Sequence, residues 1–187
     1  MNIENKLAEI LTKYKTSFSN KVYAETNNEY DILMELFSIT PEMKRENGQF
    51  WGRELGMCWQ LLIVKLVEEK CLNFKPALKV GSDEPCDLII GNYAIDTKYR
   101  VGSGDSGTLK KFKQYGKLLS EMGYIPVLLF LREDNLSAAM TACKQGGWKI
   151  LVGDESFKFI YEETGFNLKD YLLELSGNFN ILRELIK

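Results

Sequence analysis

A chain of 187 residues, 45% of them apolar, is long enough to bury one sizeable core and short for two domains. Four scattered cysteines without a C-x-x-C pair argue against a disulfide framework or a zinc cluster. The absence of histidine excludes Ser-His and Cys-His catalysis and histidine-ligated zinc. A net charge of −2 is unusual for a protein that binds nucleic acid unaided, and no apolar run approaches the ~20 residues that span a bilayer.

Residues 2–18 read as an amphipathic helix with Ile3, Leu7, Ile10, Leu11 and Tyr14 on one side. Glu4 and Glu9 alternate there with Lys6 and Lys13, and no apolar signal-peptide core is visible, so a cytoplasmic protein without a membrane partner is expected. A second helical pattern runs from about Glu29 to Ile39 and stops near Thr40-Pro41. After Asn47-Gly48 comes the strongest helix, in which Leu55, Cys58, Trp59, Leu62, Ile63, Leu66 and Val67 keep i, i+3, i+4, i+7 spacing through three turns. Cys58 falls on that stripe as a small core residue, and Glu54 lies on its edge, between Trp51 and Cys58.

Strands are expected at Ala77–Val80, 86–90, 93–100, Ile125–Leu131 and Trp148–Val152, with helices at Thr108–Met122 and Leu136–Lys144 between them. The tail from Asp154 to Lys187 reads as two or three short, mostly helical elements. This order predicts an α/β fold: a central mixed β-sheet flanked by helices, with helical N- and C-terminal extensions. A single domain over 1–187 is expected, with its core at about 48–152 and extensions at 1–47 and 153–187.

Gly91-Asn92 is a two-residue hairpin signal between two apolar runs. With those residues as the loop, Ile90 pairs with Tyr93 and Asp87 falls directly across from Asp96, where like charges repel. Lys98 follows Asp96 by two and shares its face. Two carboxylates facing one spot could hold Mg²⁺, or Mn²⁺ in its place, because these cations take oxygen ligands and keep waters and phosphate oxygens beside them. The pair is expected to serve phosphoryl chemistry: Asp87 and Asp96 as metal ligands, Lys98 orienting water or meeting the phosphate, and Glu54 completing the metal shell from the helix. The competing reading is a surface hairpin whose aspartates point at solvent.

Between Asp96 and Lys117 stand six basic residues (Lys98, Arg100, Lys110, Lys111, Lys113, Lys117) against Asp96 and Asp105, so the basic part adjoins the carboxylates. Gly102-Ser103-Gly104-Asp105-Ser106-Gly107 also matches the dinucleotide-binding G-x-G-x-x-G. That reading fails on the preceding strand, which carries Asp96, Lys98 and Arg100 where the fold requires a buried apolar strand. Glycines that let the backbone pass close to a phosphate, with Ser106 or Thr108 capping the next helix, fit better.

Pro85-Cys86-Asp87, an eight-residue gap and Asp96-Thr97-Lys98 resemble the PD-(D/E)XK nuclease signature, with Cys86 separating Pro85 from Asp87. The resemblance covers roughly 50–130, and an acidic residue on the preceding helix, here Glu54, is common in that superfamily. It implies a restriction-endonuclease-like fold and a metal-dependent type II site-specific deoxyribonuclease. Beyond the motif, Tyr99-Arg100 and the glycine-rich loop look like the segment after the catalytic strand of type II restriction endonucleases. Arg100, Ser103, Ser106, Lys110, Lys111 and Gln114 are thereby placed as DNA contacts. The chain as a whole is similar to the small catalytic subunits of heterodimeric type IIS restriction endonucleases. That likeness implies a Mg²⁺-dependent enzyme that cuts one strand of double-stranded DNA while a larger subunit recognises the sequence. A self-sufficient homodimeric nuclease and a non-catalytic interaction subunit are the alternatives.

Overall fold

The computed structural model describes residues 30–102, 104–176 and 179–181, together with Thr12. The amphipathic pattern at 2–18 and Ser103 therefore lie outside the described residues. Helices α1 (Ile32–Phe37), α2 (Pro41–Glu46) and α3 (Gly48–Lys70) come first. Each opens on a side-chain cap of the kind that satisfies orphan helical N–H groups: Asp31 on Leu33 and Met34, Thr40 on Met43, Asn47 on Phe50. Pro41 begins α2, where its missing N–H costs nothing.

Strands β1 (Phe74–Val80), β2 (Asp83–Ile90) and β3 (Tyr93–Lys98) follow, then α4 (Ser106–Glu121), β4 (Ile125–Phe130), α5 (Ser137–Gln145), β5 (Lys149–Val152), α6 (Asp154–Thr164) and α7 (Leu168–Glu174). The five strands stand in the sheet in chain order. β1, β2 and β3 pair antiparallel, whereas β3–β4 and β4–β5 are parallel and joined through α4 and α5. The expected mixed α/β sheet with helical extensions is thus present. Pro76 is tolerated because β1 is an edge strand.

The sheet alternates its side chains between two cores. Leu88, Ile90, Ile95, Val127 and Leu129 pack on one face against α1, α3, α6 and α7, with Trp59 and Ile63 fully buried there. On the other face Ile89, Ala94, Leu128 and Phe130 meet α4 and α5. Two contacts hold these layers in place. The Trp59 indole N–H donates to the Leu129 carbonyl at 3.1 Å, fixing α3 to β4, and the Trp148 indole donates to Phe112 at 2.7 Å. α4 and α5 approach so closely that a Cβ on Gly116 would come within 2.3 Å of the Gly146 carbonyl oxygen. Among the described residues, no helix is long and apolar enough to cross a membrane.

The hairpin forms with the expected register, Ile90 opposite Tyr93, Ile89 opposite Ala94 and Leu88 opposite Ile95. Gly91 takes φ 57° and Asn92 keeps a negative φ, the pattern of a turn with glycine in its first central position.

Candidate active site

β3 is the middle strand of the sheet, and its last residues are charged on one face and hydrogen-bonding on the other. Asp96 and Lys98 lie on the α4–α5 side, Thr97 and, just past the strand, Tyr99 on the α3 side. The β2–β3 ladder stops at Leu88–Ile95, one position short of the aspartates. The directly opposed Asp87–Asp96 pair of the sequence reading is therefore corrected. Asp87 does not enter the ladder; its carboxylate accepts the Thr97 amide N–H at 2.7 Å and the Thr97 hydroxyl at 2.6 Å. A side chain thus takes a backbone donor that a partner strand would otherwise satisfy, so the ladder between the two strands ends there.

The Asp87 carboxylate, held at Thr97, still acts on Asp96. Burial pushes the Asp96 carboxyl up to about 6, against the pull of the Lys98 ammonium, and Asp87 adds to the rise. The Lys98 ammonium donates to Asp96 at 2.6 Å and to the Thr97 carbonyl at 3.1 Å. Burial works against its charge, but the Asp96 and Asp87 carboxylates outweigh it and hold Lys98 above the usual lysine range. With side chains 14% and 34% exposed, Asp96 and Lys98 are recessed yet open to solvent. Cys86 and Cys143 lie nearby with thiols pushed up by burial to about 11 and about 12, which makes them poor nucleophiles.

The helix residue that reaches this cluster is Gln60, whose side-chain amide donates to Asp87 at 2.7 Å. Glu54 does not join the pair. Its carboxylate binds Arg53 at 2.9 Å and stands 47% exposed on a groove of ≈ 640 Å³ with Met57, Leu61, Phe166 and Tyr171. The physical reason is the helical repeat: at about 100° per residue, positions six apart lie about 120° apart around the axis. Among the described residues no group of three or more histidine, cysteine, aspartate or glutamate side chains could hold a metal ion.

Ser106, Lys110, Lys111 and Gln114 are exposed along the start of α4, whereas the Arg100 guanidinium is tied to the carbonyl and carboxylate of Asp134, at 2.9 and 2.8 Å. Tyr115 is half-buried; burial first, and then the Asp83 carboxylate, raise its hydroxyl. Asp105, inside the glycine-rich loop, caps α4 through the Thr108 N–H at 2.9 Å, and Ser106 begins the helix.

Behind β3 lies a charged network that sequence reading missed. The buried Lys44 ammonium donates to the Tyr99 hydroxyl at 2.6 Å, and that hydroxyl donates to Asp31. Arg132 bridges Asp31 at 2.8 Å and Asp134 at 2.7 Å. Burial, with Arg132 second, pushes Lys44 down to about 8. This network ties α1 and α2 to the residue that follows Lys98. Its only sequence signal was polar residues flanking apolar strand ends, which many solvated loops share. Gln60 had a better one, a polar residue next to Trp59 on the margin of an apolar helical stripe. No protein-family model, curated protein or solved structure matches the chain.

Proposed function

We propose that the chain is a Mg²⁺-dependent endodeoxyribonuclease that hydrolyses phosphodiester bonds of double-stranded DNA, as the small subunit that cuts one strand beside a larger recognition subunit. The observation that carries this reading is the Lys98 ammonium 2.6 Å from Asp96 at the end of the central strand, with the Asp87 carboxylate held against the neighbouring Thr97 at 2.6 and 2.7 Å. The donor set fits a hard divalent cation. Asp87 and Asp96 supply carboxylate oxygens, and their mutual repulsion is what a bound cation would relieve. Two protein carboxylates suit Mg²⁺, which keeps waters and substrate phosphate oxygens in its remaining positions. Such a cation, when bound, supplies Lewis acidity and a more acidic water.

The protein's own residues do the rest. Asp87 and Asp96 hold the cation, and Asp87 is itself held by Thr97 and Gln60. Lys98, kept protonated by its carboxylate neighbours, acts as a donor and a positive charge rather than as a base. It orients the attacking water or meets the negative charge that grows on the phosphate. Ser106, Lys110, Lys111 and Gln114 offer exposed donors along α4 for the DNA backbone. A net charge of −2 supports reliance on a partner for DNA binding and sequence choice.

Lys98→Ala is expected to abolish nicking of plasmid in Mg²⁺, by at least about a hundredfold, while the circular dichroism spectrum is retained. Cleavage at the wild-type rate would refute the assignment. A second reading is supported by the three hydrogen bonds that Asp87 accepts, which also suit a strand-end cap in a non-catalytic interaction subunit. Calorimetric titration of Mn²⁺ separates the two. Heat from wild type that is lost in Asp96→Asn favours the nuclease, and no heat from either favours the interaction subunit.

A further inference from the structure

We infer that Gln60 is a positioning residue of the site, holding the Asp87 carboxylate in its metal-binding orientation from α3; the inference rests on the nuclease reading. Only the NH₂ end of the amide can face a carboxylate, so the contact at 2.7 Å fixes which way the side chain points. Asp87 is then gripped from two elements. Gln60 donates to Oδ1, and Thr97 donates its amide and hydroxyl to Oδ2. Thr97 shares a strand with Asp96, so its grip alone ties Asp87 only to β3. Gln60 adds a second anchor on a helix that is itself immobilised, because the adjacent Trp59 is fully buried and bonded to the Leu129 carbonyl.

The residue type matters as much as the place. A lysine at 60 would put a second ammonium beside the carboxylates and compete with a cation. A glutamate would set an acceptor against an acceptor. A glutamine donates and leaves the formal charge of Asp87, Asp96 and Lys98 at −1, which still attracts a divalent ion. Partners of this kind, behind the metal ligands, are worth about 10–100-fold in affinity where they have been removed.

The test uses the full chain and Mn²⁺ alone. Gln60→Met keeps length, volume and helix preference while removing the donor. It is expected to weaken Mn²⁺ binding by about 10–100-fold in calorimetry, with a melting temperature in EDTA close to that of wild type. Where wild type nicks plasmid, alone or with its larger subunit, nicking by the variant should also recover as Mn²⁺ is raised, a rescue that a merely misfolded site does not show. Where Gln60→Met melts below the assay temperature, Gln60→Asn, whose amide is one methylene too short for Asp87, carries the same comparison. Wild-type Mn²⁺ affinity in the variant overturns the role of Gln60 and leaves the nuclease reading standing. No Mn²⁺ binding by wild type overturns both.

Discussion

Asp96→Asn should make the metal-free protein more stable, and by an amount that depends on pH. Asp96 binds its proton more tightly in the folded state, where burial lifts it from 3.8 to about 6. The stability it contributes is therefore intact below about pH 3.8 and is lost as the pH rises through about 6. Above that window the folded protein carries a charge it disfavours by about 3 kcal/mol, at about 1.4 kcal/mol per pH unit. Asparagine keeps the shape, still accepts from Lys98 and never ionises. Its advantage should be about 1 kcal/mol at pH 4.5, where the unfolded aspartate is mostly ionised and the folded one is not, and about 3 kcal/mol at pH 8. Urea unfolding in EDTA at the two pH values measures both numbers, with an unchanged m-value as the control that the end states are the same. Saturating Mg²⁺ should then favour wild type, since a ligand that binds only the folded state stabilises it by mass action. A variant that is less stable than wild type at pH 8, or equally offset at both pH values, would refute the view that Asp96 is held in an electrostatically unfavourable position.

Two further perturbations probe what frames the site. Lys44 titrates at about 8 when folded and near 10.5 when unfolded, so the unfolded chain binds more protons between those values and stability must rise across them. The gain from this group is about 3 kcal/mol, and Lys44→Met should remove that slope from a pH series of urea midpoints; a parallel series would refute it. Gly116→Ala places its Cβ 2.3 Å from the Gly146 carbonyl oxygen and 2.6 Å from the Trp148 indole nitrogen. Despite the better helix former it should cost about 1–3 kcal/mol in urea unfolding, and a stabilised variant would show that α4 and α5 do not need so close an approach.

Much of the fold was legible because its signals are local and redundant. The stripe through Trp59 and Ile63, the turn at Gly91-Asn92 and the apolar run from Ile125 each fix an element type, and β3–β4 pairing then follows from a helix of crossover length between them. The hairpin register was equally legible, since a slip by one residue would send Ile89 and Ile90 to the wrong faces. What could not be read was where the ladder stops. That depends on the Asp87 side chain outcompeting a partner strand for the Thr97 N–H, a contest between groups ten residues apart. Glu54 was misplaced for a related reason. Periodicity identifies an apolar stripe, but not which of its two margins faces the hairpin, and Gln60 occupies the margin that does. The network of Lys44, Tyr99, Arg132, Asp31 and Asp134 joins segments about a hundred residues apart, and pairing across such a distance leaves no local trace.

A central strand covered on both faces is ordinarily apolar throughout, and β4 next to it reads Pro-Val-Leu-Leu-Phe with every residue buried. β3 begins that way, with Ala94 and Ile95 fully buried, and then places an aspartate and a lysine on one face while Thr97 and Tyr99 on the other face bind Asp87 and Asp31. Packing alone gives no reason for Asp96, because an apolar residue there would avoid the burial of a carboxylate that, with Asp87 adding to it, raises its carboxyl to about 6. Nor does a strand-end cap need it, since Asp87 satisfies the Thr97 N–H by itself. Stability that is given up at one position of an otherwise well-satisfied core points to a use for the charge. Of the groups around Asp96, the buried thiols are protonated and Lys98 is held cationic, so what the position can still offer a ligand is a second carboxylate beside Asp87.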